Sequence, residues 1–214
     1  MTMRVTLNLL GSNAEIEADI FRALVKEINK SFPAKVAKLR RPIQSTVRTA
    51  LFSSPEVSSL LAGKLRYDFG IPKGVDVAGD IIDAVVGSVY VQAPPVKSGA
   101  AKNIKSDIQI SVQPLDFQNI LGLSSGTVIS EKGASLPWLD WLLTAGDKII
   151  IANFGVRYGA GRGRSGGGSM SASEKFRPFK VDTAFSGTIK DNFISRALQR
   201  FQPTLIKTIE RGLR

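Results

Sequence analysis

Apolar residues at helical spacing near both ends of the chain constrain its fold more than any other feature of the sequence. Between residues 16 and 28 they recur every three or four positions, and the last part of the chain repeats this pattern. Ser12 and Glu15 have the spacing of a capping box before the first stripe, and Ser186 or Thr188 is placed to cap the last helix. The sequence therefore predicts an amphipathic helix near each end.

Prolines and glycines divide the first third of the chain into shorter helices. Phe32 and Pro33 predict that a second helix begins there, because proline is favoured in a first helical turn. Pro42 is expected to kink or interrupt that helix. A third, short helix is predicted from Ser54 as its cap to Gly63 as its stop.

The middle of the chain carries strand patterns instead. We expect strands in MRVTLNLL near the amino terminus and then in VYVQA, NIKSDIQISVQ and DKIIIANFGVRY, while DIIDAVVGS fits either a short helix or a strand. Helices early, strands in the middle and a helix last indicate an α+β fold. The prediction is a single domain over residues 1–214, in which the amino-terminal helices and a long carboxy-terminal helix pack a small, mostly antiparallel sheet.

Composition excludes several kinds of active site. The chain has no cysteine and no histidine, which rules out disulfides, thiolate chemistry, the commonest general base and the commonest metal ligand. Asp80 with Asp83, and Asp140 with Asp147, are candidate carboxylate pairs, but nothing near them completes a catalytic or metal-binding set. We expect these acids at helix ends and on solvated faces, in a protein that is not an enzyme and has no catalytic, metal or cofactor site.

The net charge of +11 is concentrated at the two ends of the chain. Residues 1–50 have nine Lys or Arg against four Asp or Glu, residues 51–161 have nine against ten, and residues 162–214 have eleven against four. Basic ends favour a polyanionic partner or an acidic protein surface, and a merely solvated surface is the alternative. No apolar run approaches the roughly 20 residues of a membrane span and the amino terminus lacks a cleavage-site pattern, so a soluble intracellular protein is expected.

The stretch YGAGRGRSGGGSM, from Tyr158 to Met170, has the spacing G-x-G-x-x-G at Gly161, Gly163 and Gly166. A dinucleotide site needs this turn to lead from a strand into a helix, whose amide groups hold the pyrophosphate. The residues that follow are poor helix formers. The nucleotide interpretation is therefore rejected.

Three interpretations of this glycine-rich segment stay open. It is a flexible Gly/Arg/Ser-rich loop or hairpin over residues 159–173, a nucleic-acid arm, or a loop that becomes ordered on assembly. In the last two, Arg157, Arg162 and Arg164 contact either the phosphates of DNA or the acidic groups of a neighbouring subunit.

Three stretches resemble segments of small virion structural proteins of tailed bacteriophages: LAGKLRYDFGIP (residues 61–72), LPWLDWLLTAGDKIIIANFGVRYGAGRGRSGGGSM (136–170) and FSGTIKDNFISRAL (185–198). The families concerned are the neck, head–tail connector and tail-completion (terminator) proteins of the head–tail junction. The resemblance implies a non-enzymatic subunit of a hexameric or dodecameric ring. It also implies a place in the virion neck or tail, after assembly in the host cytoplasm, where the ring joins the capsid portal to the tail or terminates the tail tube and lets DNA pass.

The resemblance and the apolar character of LPWLDWLLTAG together suggest where subunits meet. We expect Trp138, Trp141 and Leu142 to pack near a subunit interface, although a tryptophan pair is more often part of a core. The expected partners are further copies of the chain, other neck, portal or tail proteins and, non-specifically, genomic DNA, but not a membrane.

The last helix is expected to present a basic face made of Arg196, Arg200 and Lys207. Such a face suits either assembly around DNA or direct binding of nucleic acid. The alternative function is therefore a basic nucleic-acid-binding protein that acts alone.

Overall fold

The structure is a computed structural model that describes residues 12–98, 104–112, 116–129, 135–146, 149–151, 154–172 and 179–214. The strand expected in MRVTLNLL lies outside these residues. The helices are α1 (Asn13–Lys38), α2 (Arg40–Phe52), α3 (Pro55–Ala62), α4 (Lys64–Asp68), α5 (Gly74–Gly87), α6 (Gln118–Leu121), α7 (Trp138–Leu143) and α8 (Phe193–Leu213). The strands are β1 (Tyr90–Gln92), β2 (Lys97–Ser98), β3 (Ile104–Lys105), β4 (Gln109–Ser111), β5 (Val128–Ile129), β6 (Ser135–Leu136), β7 (Ile149–Ile151), β8 (Phe154–Tyr158), β9 (Gly168–Ala172) and β10 (Phe179–Lys180).

The strands of the described residues pair two by two, and each pair is antiparallel. β1 pairs with β4, β2 with β3, β5 with β6, β7 with β10 and β8 with β9. The α+β class, with antiparallel strands and a long carboxy-terminal helix, is thus confirmed. The predicted strand in NIKSDIQISVQ is divided into β3 and β4, which belong to different ladders.

Helix α1 begins with the predicted capping box. The Ser12 hydroxyl accepts a hydrogen bond from the Glu15 amide, and the Glu15 carboxylate accepts one from the Ser12 amide at 2.7 Å. The prediction that a new helix starts at Pro33 is wrong, because α1 continues through that residue. Pro33 removes one backbone hydrogen bond, but Val36, only 3% exposed, holds the next turn against the core.

The break between the first two helices falls instead at Leu39. Pro42 lies in the first turn of α2, where a missing backbone amide leaves no intrahelical bond unmade. The predicted third helix is confirmed, since the Ser54 side chain accepts a hydrogen bond from the Val57 amide and Gly63 is the carboxy-terminal cap.

Helices α2 and α8 run antiparallel and build one wall of the core. Leu39 lies against Gly212 at one end, and further along the hydroxyl groups of Thr46 and Thr208 lie 3.3 Å apart in a hydrogen bond. The buried side chains of this wall are Ile43, Val47, Ala50 and Leu51 from α2 and Phe193, Ile194 and Ala197 from α8.

Helix α5 packs on α2 and α3 from the other side. The segment DIIDAVVGS, which fitted either a helix or a strand, is helical, and Ile81, Ile82 and Val85 are buried. Their spacing of one, three and four residues places them on one face of the helix.

Helix α8 does not begin at either predicted cap. Its cap is Asn192, whose side-chain oxygen accepts hydrogen bonds from the amides of Ile194 and Ser195. Thr188 instead closes a separate turn just before the helix by accepting a hydrogen bond from the Asp191 amide at 3.1 Å. Two capping motifs thus overlap within five residues, and the one nearer the buried stripe starts the helix.

Candidate functional site: the glycine- and arginine-rich hairpin

Strands β8 and β9 form a hairpin whose tip is the glycine-rich segment. The register runs from Phe154 opposite Ala172 to Tyr158 opposite Gly168. Residues 168–172 of the loop expected over residues 159–173 therefore belong to a strand, and residues 159–167 form the turn.

The turn is closed by its own backbone. The Gly168 amide donates to the Arg162 carbonyl at 3.1 Å, and the buried Ser165 hydroxyl donates to the Gly168 carbonyl at 3.3 Å. Gly163 has a φ of 60°, and a Cβ at this position would collide with the Gly168 carbonyl oxygen, so only glycine fits. That this loop is flexible stays a prediction. In the structure its backbone has a defined conformation with internal hydrogen bonds.

The turn end of the hairpin rests on Tyr67, which belongs to α4. Gly167 lies on the ring of Tyr67, and a Cβ at this position would overlap the ring, while Gly168 approaches the Cβ and the backbone of Tyr67. The two glycines therefore let the strand backbone lie directly on Tyr67.

A partly buried hydrogen bond joins the same two elements. The Tyr158 hydroxyl donates to a carboxylate oxygen of Asp68, whose residue is 3% exposed. Burial raises the pKa of the Asp68 carboxyl above its ordinary value, although the hydrogen bond from Tyr158 acts in the opposite direction. Burial, followed by the hydrogen bond to Asp68, also raises the pKa of Tyr158, so its hydroxyl remains a donor at neutral pH.

A second, more exposed link ties α4 to the segment before α8. The Lys64 ammonium lies 2.8 Å from the Asp182 carboxylate. The hydrogen bond from Lys64 lowers the pKa of Asp182, and the same bond raises the pKa of Lys64. The turn end of the hairpin thus contacts a helix that is itself linked to the carboxy-terminal part of the chain.

The tip of the hairpin presents cationic side chains to solvent. Arg162 and Arg164 are exposed, and within the described ranges neither forms an ion pair. Arg157, on β8, is exposed as well. Guanidinium groups in this setting can bind carboxylates or phosphates through paired hydrogen bonds.

The tryptophan helix α7 lies inside the molecule. The Phe69 ring stacks on Trp138 with centroids 5.5 Å apart and approaches Trp141 at 6.2 Å. Trp138 and Leu142 are both 0% exposed, so they belong to the core of this chain, and packing near a subunit interface stays a prediction for them. Trp141 is partly exposed, and its role at an interface stays a prediction.

The three residues of the basic face predicted on α8 have different surroundings. Arg196 is occupied within the chain: its Nη2 lies 2.8 Å from Oε1 of Glu56, a carboxylate that is only 4% exposed, and its Nη1 donates to the Ser186 carbonyl. Arg200 and Lys207 are exposed. These two residues are more accessible than Arg196, whose side chain is 27% exposed and bound within the chain.

The candidate carboxylates hold local structure. Asp83 pairs with Arg48, Asp80 accepts a hydrogen bond from the Ser125 hydroxyl, and Asp140 accepts one from Thr144. Asp147 lies outside the described residues. In the part of the chain that the structure describes, no cluster of three or more acidic, histidine or cysteine side chains could hold a metal ion.

The contacts that fasten the hairpin were not singled out by the sequence patterns. Lys64, Tyr67 and Asp68 stand in the first stretch that carries the resemblance, and their partners follow 90 or more residues later. Capping rules and periodicity act over three or four residues, so no local signal identifies such pairs.

No protein-family model matches the chain, and neither a curated protein nor a solved structure matches it. Among the described helices, none combines the length and the apolar character that crossing a membrane requires.

Proposed function

We propose that this chain is a virion structural protein of the tailed-phage head–tail junction. It forms a ring that joins the capsid portal to the tail, or terminates the tail tube, and lets DNA pass. The proposal is supported by the resemblance in residues 61–72, 136–170 and 185–198, and by the way these three stretches contact one another in the fold.

The contacts between the three stretches are the observation that carries the proposal. The first meets the second where Phe69 stacks on Trp138 and where Tyr158 donates to Asp68. The second meets the third where the Gly146 amide donates to the Gly187 carbonyl at 2.7 Å. These contacts place the three stretches in one structural unit.

The hairpin supplies an arm suited to assembly. The end of its ladder next to the turn contacts Tyr67 and Asp68 of α4, and the turn itself presents Arg162 and Arg164. A ring needs heterologous contacts that close, and a cationic arm fits either the acids of a neighbour or DNA inside the channel.

Negative-stain electron microscopy of the purified chain, with sedimentation velocity at several concentrations, tests the proposal. We expect rings of six or twelve copies. A chain that stays monomeric at every concentration and shows no rings overturns the proposal.

A variant of the hairpin tests whether its tip takes part in assembly. Replacing residues 159–167 by Asn-Gly joins Tyr158 to Gly168 through a two-residue turn that suits an antiparallel ladder. We expect a folded protein that no longer forms rings. The matched control, Lys73→Gln with Lys190→Gln, neutralises two exposed lysines elsewhere, and we expect it to form rings. If the trimmed variant also formed rings, the hairpin tip would not be part of the contact between subunits.

The alternative function, a nucleic-acid-binding protein that acts alone, is favoured by the net charge of +11 and by the exposure of Arg200 and Lys207. A salt titration of binding to a DNA duplex separates the two. A monomer whose affinity falls steeply with salt, by about 0.9 log units per log unit of salt for each phosphate contacted, supports the alternative.

A further inference from the structure

Four cationic side chains of α8 share one outward face of the helix. At roughly 100° per residue, four positions fall within about 60° of one another around the helix axis: Arg200, Lys207, Arg211 and Arg214. All four residues are exposed, and they lie opposite Leu205 and Ile209, which pack against the core. We call these four residues the α8 stripe.

The fold adds cations from the other end of the sequence to the α8 stripe. The Lys35 ammonium donates to the Leu213 carbonyl at 3.4 Å, and Leu39 lies against Gly212. Lys38, about one turn after Lys35 on α1, is exposed as well. The two basic ends of the sequence thus meet at the carboxy-terminal end of α8.

The charge of this surface is not balanced within the chain. Of the residues that the structure describes, no carboxylate pairs with the four cations of the α8 stripe or with Lys35 and Lys38. Glu210 is the one acid in α8, and it lies about 40° or more to the side of the stripe. Uncompensated cations on one surface attract a polyanion.

Stabilisation of the helix accounts for only part of this charge. The carboxy-terminal end of a helix carries about half a negative charge, and its effect fades beyond the last turn. Arg211 and Arg214 lie at that end, whereas Arg200 and Lys207 lie more than one turn before it. The helix dipole therefore does not explain Arg200 and Lys207.

The composition of the α8 stripe favours a phosphate backbone over a protein or a membrane. Between its cations the same face carries only Pro203 and Thr204, and the exposed Ile206 lies about 80° or more to the side. Protein interfaces have an apolar centre in which charged residues are depleted, and a helix that binds a membrane inserts an apolar face. Interfaces with DNA are polar and strongly positive.

We propose that the α8 stripe binds the phosphate backbone of duplex DNA. From Arg200 to Arg214 the stripe is about 21 Å long at a rise of 1.5 Å per residue. About six phosphates of one DNA strand occupy this length. The cations contact phosphate oxygens and no base edges, so binding does not depend on the DNA sequence. This inference rests on the proposed function, in which DNA passes through the ring, and it assigns the DNA contact to α8.

The first test measures binding to a short labelled duplex of mixed sequence by fluorescence anisotropy at several salt concentrations. Arg200→Gln with Lys207→Gln removes two cations, while glutamine retains helix propensity. We expect the dissociation constant to rise about tenfold or more, and the slope of its logarithm against the logarithm of salt concentration to fall by about two. Lys73→Gln with Lys190→Gln removes the same charge from exposed positions elsewhere and should leave the slope nearly unchanged. Equal losses in the two variants overturn the inference, because net charge alone then accounts for binding.

The second test uses the wild-type chain, so it does not depend on the folding of a variant. Exposed lysines are acetylated with acetic anhydride, and mass spectrometry gives the rate at each position with and without saturating duplex. The duplex should slow acetylation of Lys35, Lys38 and Lys207 severalfold, because phosphates cover their ammonium groups. Lys73 and Lys190, exposed elsewhere, should react at unchanged rates. Equal rates at Lys207 with and without the duplex overturn the inference.

The outcomes separate this inference from the proposed function. Rings whose DNA affinity is unaffected by Arg200→Gln with Lys207→Gln overturn the inference only. A chain that forms no rings but binds DNA through these residues overturns the proposed function only, and supports the nucleic-acid-binding protein that acts alone. If vesicles of phosphatidylglycerol protect the same lysines as strongly as the duplex does, the choice of DNA as the partner is overturned.

Discussion

The helical body and the β8–β9 hairpin are held in shape by different forces. In the body, side chains such as Ile43, Leu51 and Ile82 are 0% exposed, and burial of apolar area stabilises the packing. In the hairpin, a turn that only glycine permits is closed by backbone hydrogen bonds and seated on Tyr67. The body therefore depends on the sum of many contacts, whereas the hairpin depends on a few specific ones.

This difference predicts two kinds of mutant. Substitutions in the body should lower the free energy of global unfolding in proportion to the contacts removed. Substitutions in the hairpin should change local opening and assembly and leave the body folded.

The largest expected effect comes from Trp138→Ala. A fully buried tryptophan stacked on Phe69 is removed, and we expect the free energy of unfolding in urea to fall by about 3–5 kcal/mol. Trp141→Ala, at a partly exposed position, should have a smaller effect. If Trp138→Ala left the free energy of unfolding unchanged and abolished assembly, Trp138 would act at a subunit interface and not in the core.

Arg196→Ala comes next. The change leaves the buried Glu56 carboxylate without its guanidinium partner, and we expect a loss of about 2–3 kcal/mol in urea unfolding, in the range for hydrogen bonds to charged groups. Arg200→Ala, on the same face of α8 but exposed, is the control and should stay within about 0.5 kcal/mol of wild type. Equal effects of the two changes would show that the pair with Glu56 has no special role.

Gly163→Ala, compared with Gly161→Ala, tests the hairpin. Both glycines have positive φ values, 60° and 72°, and an alanine there costs about 1–2 kcal/mol in either case. Only at Gly163 does the added Cβ meet the Gly168 carbonyl, so this variant should show the faster hydrogen exchange in β8 and β9. Identical hydrogen-exchange rates in the two variants would mean that the turn rearranges to accommodate a Cβ at position 163 at no extra cost.

The smallest effects concern pH. The lowered pKa of Asp182 means that its contribution to stability is present above pH 3.8 and is lost as pH falls through the lower, folded-state value. Asp182→Asn should therefore be less stable than wild type at neutral pH, by less than about 1 kcal/mol for so exposed a pair, and equal to it in strong acid.

Asp68→Asn should behave in the opposite way. Its pKa is raised by burial, so the folded state keeps the proton above pH 3.8 and wild-type stability falls as pH rises through that region. The variant lacks this fall and should be at least as stable as wild type at neutral pH. Melting temperatures of wild type and of both variants from pH 3 to 8 test these two predictions. If both variants were less stable than wild type at neutral pH, the raised pKa of Asp68 would be contradicted.

Sequence patterns predicted the features that depend on near neighbours. The capping box at Ser12, the cap at Ser54 and the stop at Gly63 were correct because each involves bonds within a few residues. The errors at Pro33 and at the start of α8 arose where tertiary packing overrode a local preference, since burial of Val36 continues one helix and Asn192 lies next to buried Phe193.

The candidate site was predicted only in part. The exposed arginines at the hairpin tip were identified from composition, but its fastening to Tyr67 and Asp68 joins residues about 90 positions apart. Arg196 was assigned to a basic face because helical spacing shows which residues share a side and cannot show that Glu56 lies opposite.

The antiparallel pairing of α2 with α8 has a consequence for biosynthesis. Phe193, Ile194 and Ala197 complete a core that residues 39–89 begin, so the core cannot close until α8 has left the ribosome. Until then the apolar face of α2 is exposed on the nascent chain, where such surfaces favour aggregation and engage chaperones. The chain thus completes its core only after α8 has been made.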